Sequence, residues 1–324
     1  MDDVQFSEAL PPPGSRRVLK CTGQEFSFDI LAVHGTSPGH VLLVTGGIHG
    51  DEYEGPAAIH ETFDRLEPDK LRGCWLGVPV VNEAAMRVGQ RASPIDGVDL
   101  ARVFPGNPTG TLTERLAHGF GQRVMKLATH YIDLHSGGAA LRIVSMAGYK
   151  TVADRAVLDI QRRMAMAFGA DLVWGTPPLL RPTLWQAEQF GIPAIYAETG
   201  GDGRWRQDVD GYRTGVEFVM RSLGMLDGDY PTSPRRYFRE AGPGNDTEGH
   251  FQVDHPSPCE GLFQPDVDLW APVHEGQVIA RVVDFGGQRA APIAARRKGQ
   301  VIMLRRPSTV KEGDALAVVI QEDK

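Results

Sequence analysis

No stretch of this chain is apolar for the ~20 residues that a membrane-spanning helix requires. The longest apolar runs, 41–44 and 192–197, are only strand-sized, so no membrane partner is expected. Cysteine is scarce. Cys21, Cys74 and Cys259 are odd in number, lie far apart and form no C-x-x-C pair. A disulfide framework is therefore not expected, and the cytoplasm is the expected setting. The acidic start, Met-Asp-Asp-Val-Gln-Phe-Ser-Glu, lacks the apolar segment of a secretory signal. Basic charge is thin: 34 Lys and Arg stand against 41 Asp and Glu, for a net charge of −7, and the basic clusters are as short as Arg16–Arg17 and Arg296–Lys298. With no basic stripe, nucleic acid is not an expected partner. Also missing are a G-x-S-x-G elbow, a G-x-G-x-x-G turn and a Walker A loop. No cysteine stands in a recognisable nucleophile context.

What is present is an ordinary globular composition, 324 residues with 41% hydrophobic and 23% charged, long enough to bury a sizeable core. The first ten residues read as a loose arm. Compact apolar runs at 17–20, 25–33, 40–45, 74–81, 131–134, 172–174 and 192–197 predict strands. Apolar residues at helical spacing predict helices over 54–66, 113–129, 154–168, 183–190 and 212–223, with Thr113 as an N-cap. Strands alternating with helices imply an α/β domain with a mostly parallel or mixed sheet flanked by helices. The stretch 227–249 reads as a linker. Beyond it only short strands are expected, at 261–263, 267–270, 278–284, 290–294, 299–305 and 314–320. The expected division is an α/β catalytic domain over 1–235 and a small all-β domain over 245–324.

Three polar segments share one grammar: each follows an apolar strand and opens onto glycine. They are GGIHGDE after VLLVT, DLHSGG after YI, and AETGG after IPAIY. In an open α/β sheet, loops beyond the carboxyl ends of the strands form the ligand crevice. Segments remote in sequence can thus converge, bringing His49, Asp51, Glu52, His135 and Glu198 together. Two histidines and a carboxylate make a catalytic zinc site with one position left open for water. The His-x-x-Glu spacing lets one tight turn present His49 and Glu52 to one ion, with Gly50 leaving room for the backbone. Asp133, two residues before His135, points to the same side and is placed to orient its imidazole. Glu198 is the expected general base, taking a proton from the attacking water and returning it to the leaving amine. An arginine aimed at the carbonyl oxygen would stabilise the developing charge.

The motifs TGGIHGDEYEGP, SPIDGVDLARVFPG, DLHSGG and AETGG, in that order, resemble the succinylglutamate desuccinylase/aspartoacylase family of the zinc carboxypeptidase clan. Within that family they are most similar to the N-acetyl-diaminobutyrate deacetylase-like proteins. The resemblance spans nearly the whole chain. It implies a zinc-carboxypeptidase-like fold, one Zn2+ held by His49, Glu52 and His135, Glu198 as general base, and Arg91 polarising the scissile carbonyl. Arg102 matches the arginine of the family's Asp-Leu-Asn-Arg motif, which holds a substrate carboxylate. The Asn of that motif is Ala101 here, so one carboxamide contact is missing, and Arg142 or Arg181 is a candidate to replace it. The tail resembles a barrel-sandwich domain related in shape to biotinyl and lipoyl carriers. Lys298 lacks the flanking methionines of a carrier lysine, so the domain is read as structural. The expected function is a zinc-dependent amidohydrolase, a deacylase of N-acylated amino acids or similar small amides, acting as a homo-oligomer. A zinc carboxypeptidase or esterase is the alternative that Ala101 keeps open.

Overall fold

The computed structural model describes residues 5–6, 10–23, 26–177, 182–200, 204–240 and 254–321. Its first part contains β1 (Gln5–Phe6), β2 (Ser15–Thr22), β3 (Ser27–His34), β4 (Ser37–Thr45), β5 (Arg72–Val78), β6 (His130–Leu134), β7 (Leu141–Ile143), β8 (Met146–Lys150), β9 (Leu172–Thr176), β10 (Ala194–Glu198) and β11 (Tyr237–Glu240). The helices are α1 (Glu54–Arg65), α2 (Glu83–Val88), α3 (Leu112–Arg123), α4 (Arg155–Ala167), α5 (Pro182–Gln189) and α6 (Trp205–Ser222). All these strands except β7 form one 10-stranded sheet in the order β1-β2-β3-β5-β4-β6-β10-β8-β9-β11. Its centre, β5-β4-β6-β10, is parallel, while β8 runs antiparallel to β10 and β2–β3 are antiparallel. The sheet is therefore mixed.

Alternation along the strands sorts side chains to two faces. Leu42, Val44, Ile132, Leu134 and Ile195 pack under α1, α4 and α6. Leu43, Tyr131 and Tyr196 point to the other face, under α3, α5 and part of the tail. Both faces of the central strands are covered, which is why those strands read as continuous apolar runs. α1 begins at Glu54 and tolerates Pro56 in its first turn, where the backbone N–H groups have no partner inside the helix.

The tail consists of β12 (His255–Pro256), β13 (Gly261–Pro265), β14 (Pro272–Val273), β15 (Val278–Val283), β16 (Ala290–Ala294), β17 (Gly299–Arg305), β18 (Thr309–Val310) and β19 (Ala315–Ile320). These make two antiparallel sheets, β12-β19-β17-β14 and β16-β15-β13-β18. They share a core of Phe263, Ile279, Val301, Leu304 and Leu316. β7 of the first part joins the tail by pairing with β17, and Ile302, Met303 and Val318 of the tail pack into the core of the large sheet.

Several elements differ from the sequence expectation. Part of the expected loose arm, Gln5–Phe6, pairs with β2. α3 is capped by Thr111, not Thr113. A reciprocal capping box with Glu114 satisfies two free N–H groups at its start, whereas Thr113 donates to Asp96 instead. The helix expected over 113–129 breaks into α3 and a short 3-10 turn, Met125–Leu127. α6 begins at Trp205, seven residues before the expected start at 212. The expected linker holds β11, which pairs parallel to β9; residues 241–249 lie outside the described residues. The segment 267–270 is a turn in place of a strand, with Trp270 at φ 63° and its N–H bonded to the Val301 carbonyl at 2.7 Å.

Candidate metal centre and active site

The three glycine-opening loops leave three adjacent parallel strands. Thr45 of β4 pairs with Asp133 of β6, and Leu134 of β6 pairs with Ala197 of β10. Neighbouring strands lie roughly 4.8 Å apart, so the loops that follow them must meet. They bring together His49, Glu52 and His135, all buried. The turn between His49 and Glu52 packs against α2 so closely that a Cβ on Gly50 would lie 2.0 Å from the Ala85 carbonyl carbon. Only glycine fits there.

Glu52 is central to the cluster. Its Oε1 lies 2.7 Å from His49 Nδ1, and its Oε2 lies 3.0 Å from His135 Nδ1. The two Nδ1 atoms face each other at 3.2 Å. Each ring turns its other nitrogen to an outer carboxylate: His135 Nε2 lies 3.1 Å from Asp133 Oδ2, and His49 Nε2 lies 3.1 Å from Asp99 Oδ1. Thr45 donates to the other oxygen of Asp133 at 2.8 Å and shares a hydrogen bond with Tyr131. Burial works against charging the histidines, yet the surrounding carboxylates outweigh it and both imidazole pKa values are raised. Burial likewise opposes ionisation of Glu52, but the two rings hold its carboxyl well below the ordinary range.

This donor set fits a cation. Two imidazole nitrogens and a carboxylate oxygen, one from each of His49, Glu52 and His135, all lie within 4.8 Å of one another. Two ring nitrogens 3.2 Å apart in a buried space, each also against a Glu52 oxygen, favour a positive charge shared between them. The outer carboxylates are the partners that orient metal-bound histidines and fix their tautomers. Mixed nitrogen and oxygen ligands suit zinc.

Glu198 ends β10 and is buried, and the residue before it, Ala197, accepts the His135 N–H at 2.9 Å. The next residue, Thr199, donates to Asp208 of α6 at 2.9 Å. Tyr212 of α6 donates to the His135 carbonyl. Burial, together with the negative charges of Glu198, Glu54 and Glu52, holds the Tyr212 phenol protonated. Arg91 reaches the cluster's edge, with Nε 3.2 Å from Asp99 Oδ2 and Nη1 3.5 Å from Glu52 Oε1. Arg102 sits on the 3-10 turn Leu100–Arg102, and its charge is among those that stabilise the Asp99 carboxylate. Ala101 packs its methyl group against the core and gives its N–H to Asp99 at 3.0 Å. Arg142 lies on β7 and pairs with Asp268 of the tail at 2.6 Å. Arg181 lies outside the described residues.

Sequence reasoning passed over Asp99. It stands in the long loop already marked by SPIDGVDLAR, where it opens the motif that contains Arg102. Nothing in its spacing to His49, fifty positions away, announces the contact. Glu54, Ser136 and Tyr212 were passed over as well.

Residues 38–223 match the model of the succinylglutamate desuccinylase/aspartoacylase catalytic domain. The chain belongs to that family. It is 33% identical over 293 residues to the N-alpha-acetyl-L-2,4-diaminobutyric acid deacetylase of Halomonas elongata, with 87% of this chain and 82% of that protein covered. A product-bound ectoine utilization protein from Ruegeria pomeroyi superposes with a TM-score of 0.87 at 29% identity, covering 98% of this chain and 99% of the other. A succinylglutamate desuccinylase from a Silicibacter species gives 0.86 at 28% identity, covering 98% of each chain. These two structures thus share the large mixed sheet together with the antiparallel tail. Among the described residues, no helix is long and apolar enough to cross a membrane.

Proposed function

We propose that this protein is a zinc-dependent deacylase that hydrolyses the amide bond of a small N-acylated amino acid. The observation that carries the reading is the buried cradle of His49, Glu52 and His135 at the ends of adjacent strands, with Glu198 on the next strand over. The deacetylase relative supports an amide as the scissile bond. His49, Glu52 and His135 would hold one zinc ion, which supplies Lewis acidity toward a water and a carbonyl. Glu198 takes the proton of the attacking water and returns it to the leaving amine. Arg91, held by Asp99, stabilises the negative charge that develops on the carbonyl oxygen. Arg102 pairs with the substrate carboxylate. Arg142 takes part only by exchanging Asp268 for the substrate. That exchange is cheap, because an exposed ion pair contributes roughly 0–1 kcal/mol.

The reading also takes residues 1–235 as the catalytic unit and 245–324 as a β unit with a structural role, in a cytoplasmic homo-oligomer. A carboxypeptidase or esterase activity is the second reading, favoured by Ala101, whose methyl group offers no hydrogen bond to a substrate. Metal analysis of the purified protein, followed by a panel of N-acetyl amino acids, dipeptides and esters, separates the two. The panel includes Nα-acetyl-L-2,4-diaminobutyrate. Stoichiometric zinc with turnover of an N-acetyl amino acid is expected. Turnover of esters or dipeptides alone would reject the deacylase, and full activity without metal would reject the zinc.

A further inference from the structure

Glu54 is the first residue of α1, two positions beyond Glu52 at the end of the first glycine-opening loop, and it touches the other two. Its Oε2 accepts a hydrogen bond from Ser136 Oγ at 2.7 Å, and Ser136 directly follows His135. Ser136 Oγ in turn accepts from the Gly138 N–H at 3.4 Å, while its own N–H bonds to Glu52 Oε2 at 3.1 Å. On the other side, Glu54 Oε1 occupies the space beside Gly200. A Cβ there would lie 2.9 Å from that oxygen, and the Gly200 backbone has φ +83°. Gly200 stands two residues after Glu198. The same loops are also tied by backbone bonds, Gly137 N–H to Thr199 O at 2.9 Å and Ile143 N–H to Gly200 O at 3.0 Å.

These contacts give Glu54 work that the hydrolytic scheme does not assign to it. Helix α1 needs no carboxylate pointing at two other loops in order to form. A buried serine hydroxyl and a glycine with no side chain both accommodate this one carboxylate. We propose that Glu54 is a positioning residue: it pins the loop carrying His135 with one oxygen and packs against the loop carrying Glu198 with the other, so fixing the general base relative to the metal cradle. The proposal rests on Glu198 being the general base. A displacement of about 1 Å between reacting groups can cost on the order of 10²-fold in rate, which sets the scale of the effect.

The test compares Glu54→Ala and Glu54→Gln with the unaltered protein. Three quantities are measured: kcat and KM on the best substrate of the panel, zinc content, and amide hydrogen exchange of the metal-free protein. In Glu54→Ala, kcat falls roughly 10–100-fold, KM stays within about threefold, and zinc content is unchanged. The amides of residues 137–138 and 199–200 exchange about tenfold faster. Glu54→Gln keeps an oxygen for Ser136 and recovers both kcat and protection. Unchanged kcat and unchanged exchange in Glu54→Ala would overturn the proposal. So would a Glu54→Gln protein with restored protection but the low kcat of the alanine variant, since charge and not position would then be the cause. If the unaltered protein turns over no substrate, the deacylase reading fails, while the exchange comparison still decides whether Glu54 pins the loops.

Discussion

Strands β4 and β6 bring a pair of histidines together at each of their ends, and the two pairs behave oppositely. At the carboxyl end, His49 and His135 lie with ring centroids 4.9 Å apart; at the amino end, His40 and His130 lie 4.5 Å apart. The first pair is surrounded by Glu52, Asp99 and Asp133, and its imidazoles are pushed up. In the second, burial, then the charges of His40 and Arg163, push His130 down to about 4, and none of these causes is a carboxylate. Ring proximity is common to both ends, so it does not make a metal site. What differs is the supply of carboxylates: Glu52 and Asp99 come from loops after the strands, and Asp133 comes from the last residues of β6 itself. The carboxyl end favours positive charge on both of its rings, whereas the amino end disfavours it on His130.

The largest expected effect breaks the carboxyl-end pair. Glu52→Ala removes the one carboxylate that touches both rings, so zinc content falls to near zero and hydrolysis is lost; metal analysis and a turnover assay check this together. Next comes Glu198→Gln, which leaves the cradle intact. Zinc content should be unchanged while kcat falls on the order of 10²–10⁴-fold, the range for loss of a general base. Asp99→Asn tests the outer carboxylates. Zinc affinity in a chelator competition should weaken by roughly 10–100-fold, and Arg91 loses its anchor, so kcat falls as well.

The amino-end pair makes a prediction of opposite sign. His130 is neutral in the folded protein and titrates near 6.5 when unfolded. Its contribution to stability is therefore complete above pH 6.5 and is lost as the pH falls toward 4. The loss amounts to at most roughly 3 kcal/mol. Urea unfolding at pH 7 and pH 4.5 should show a smaller acid-induced loss for His130→Asn than for the unaltered protein. Activity at pH 7 should change less than about twofold in His40→Ala, an exposed ring far from the cradle; a drop as large as that of Asp99→Asn would erase the contrast between the two ends.

The comparison also explains which features were legible in the sequence. The carboxyl-end site could be read because each of its strands is buried on both faces and so appears as a bare apolar run. Glycine follows at once where the chain must turn tightly. His49, Glu52, His135 and Glu198 all sit in that frame, and the frame repeats three times. Asp99 was not legible because a 3-10 turn in an irregular loop carries it to His49, and such a loop has no periodicity. The antiparallel strand β8 was hidden by its own composition, Met-Ala-Gly-Tyr-Lys, which lacks a β-branched residue. The first turns of α6 are polar, Trp-Arg-Gln-Asp-Val-Asp, so an apolar stripe emerges only later in the helix. The pairing of β7 with β17 joins residues more than 150 positions apart, and three residues of strand carry too little pattern to announce it.

The most direct test is a titration of zinc into the metal-free protein and into Glu52→Gln, followed by calorimetry. The contrast between the two ends predicts one tight site per chain in the unaltered protein and none in the variant, with the amino-end histidines silent in both. Tight binding that survives in Glu52→Gln, or a second site that disappears in His130→Asn, would contradict it.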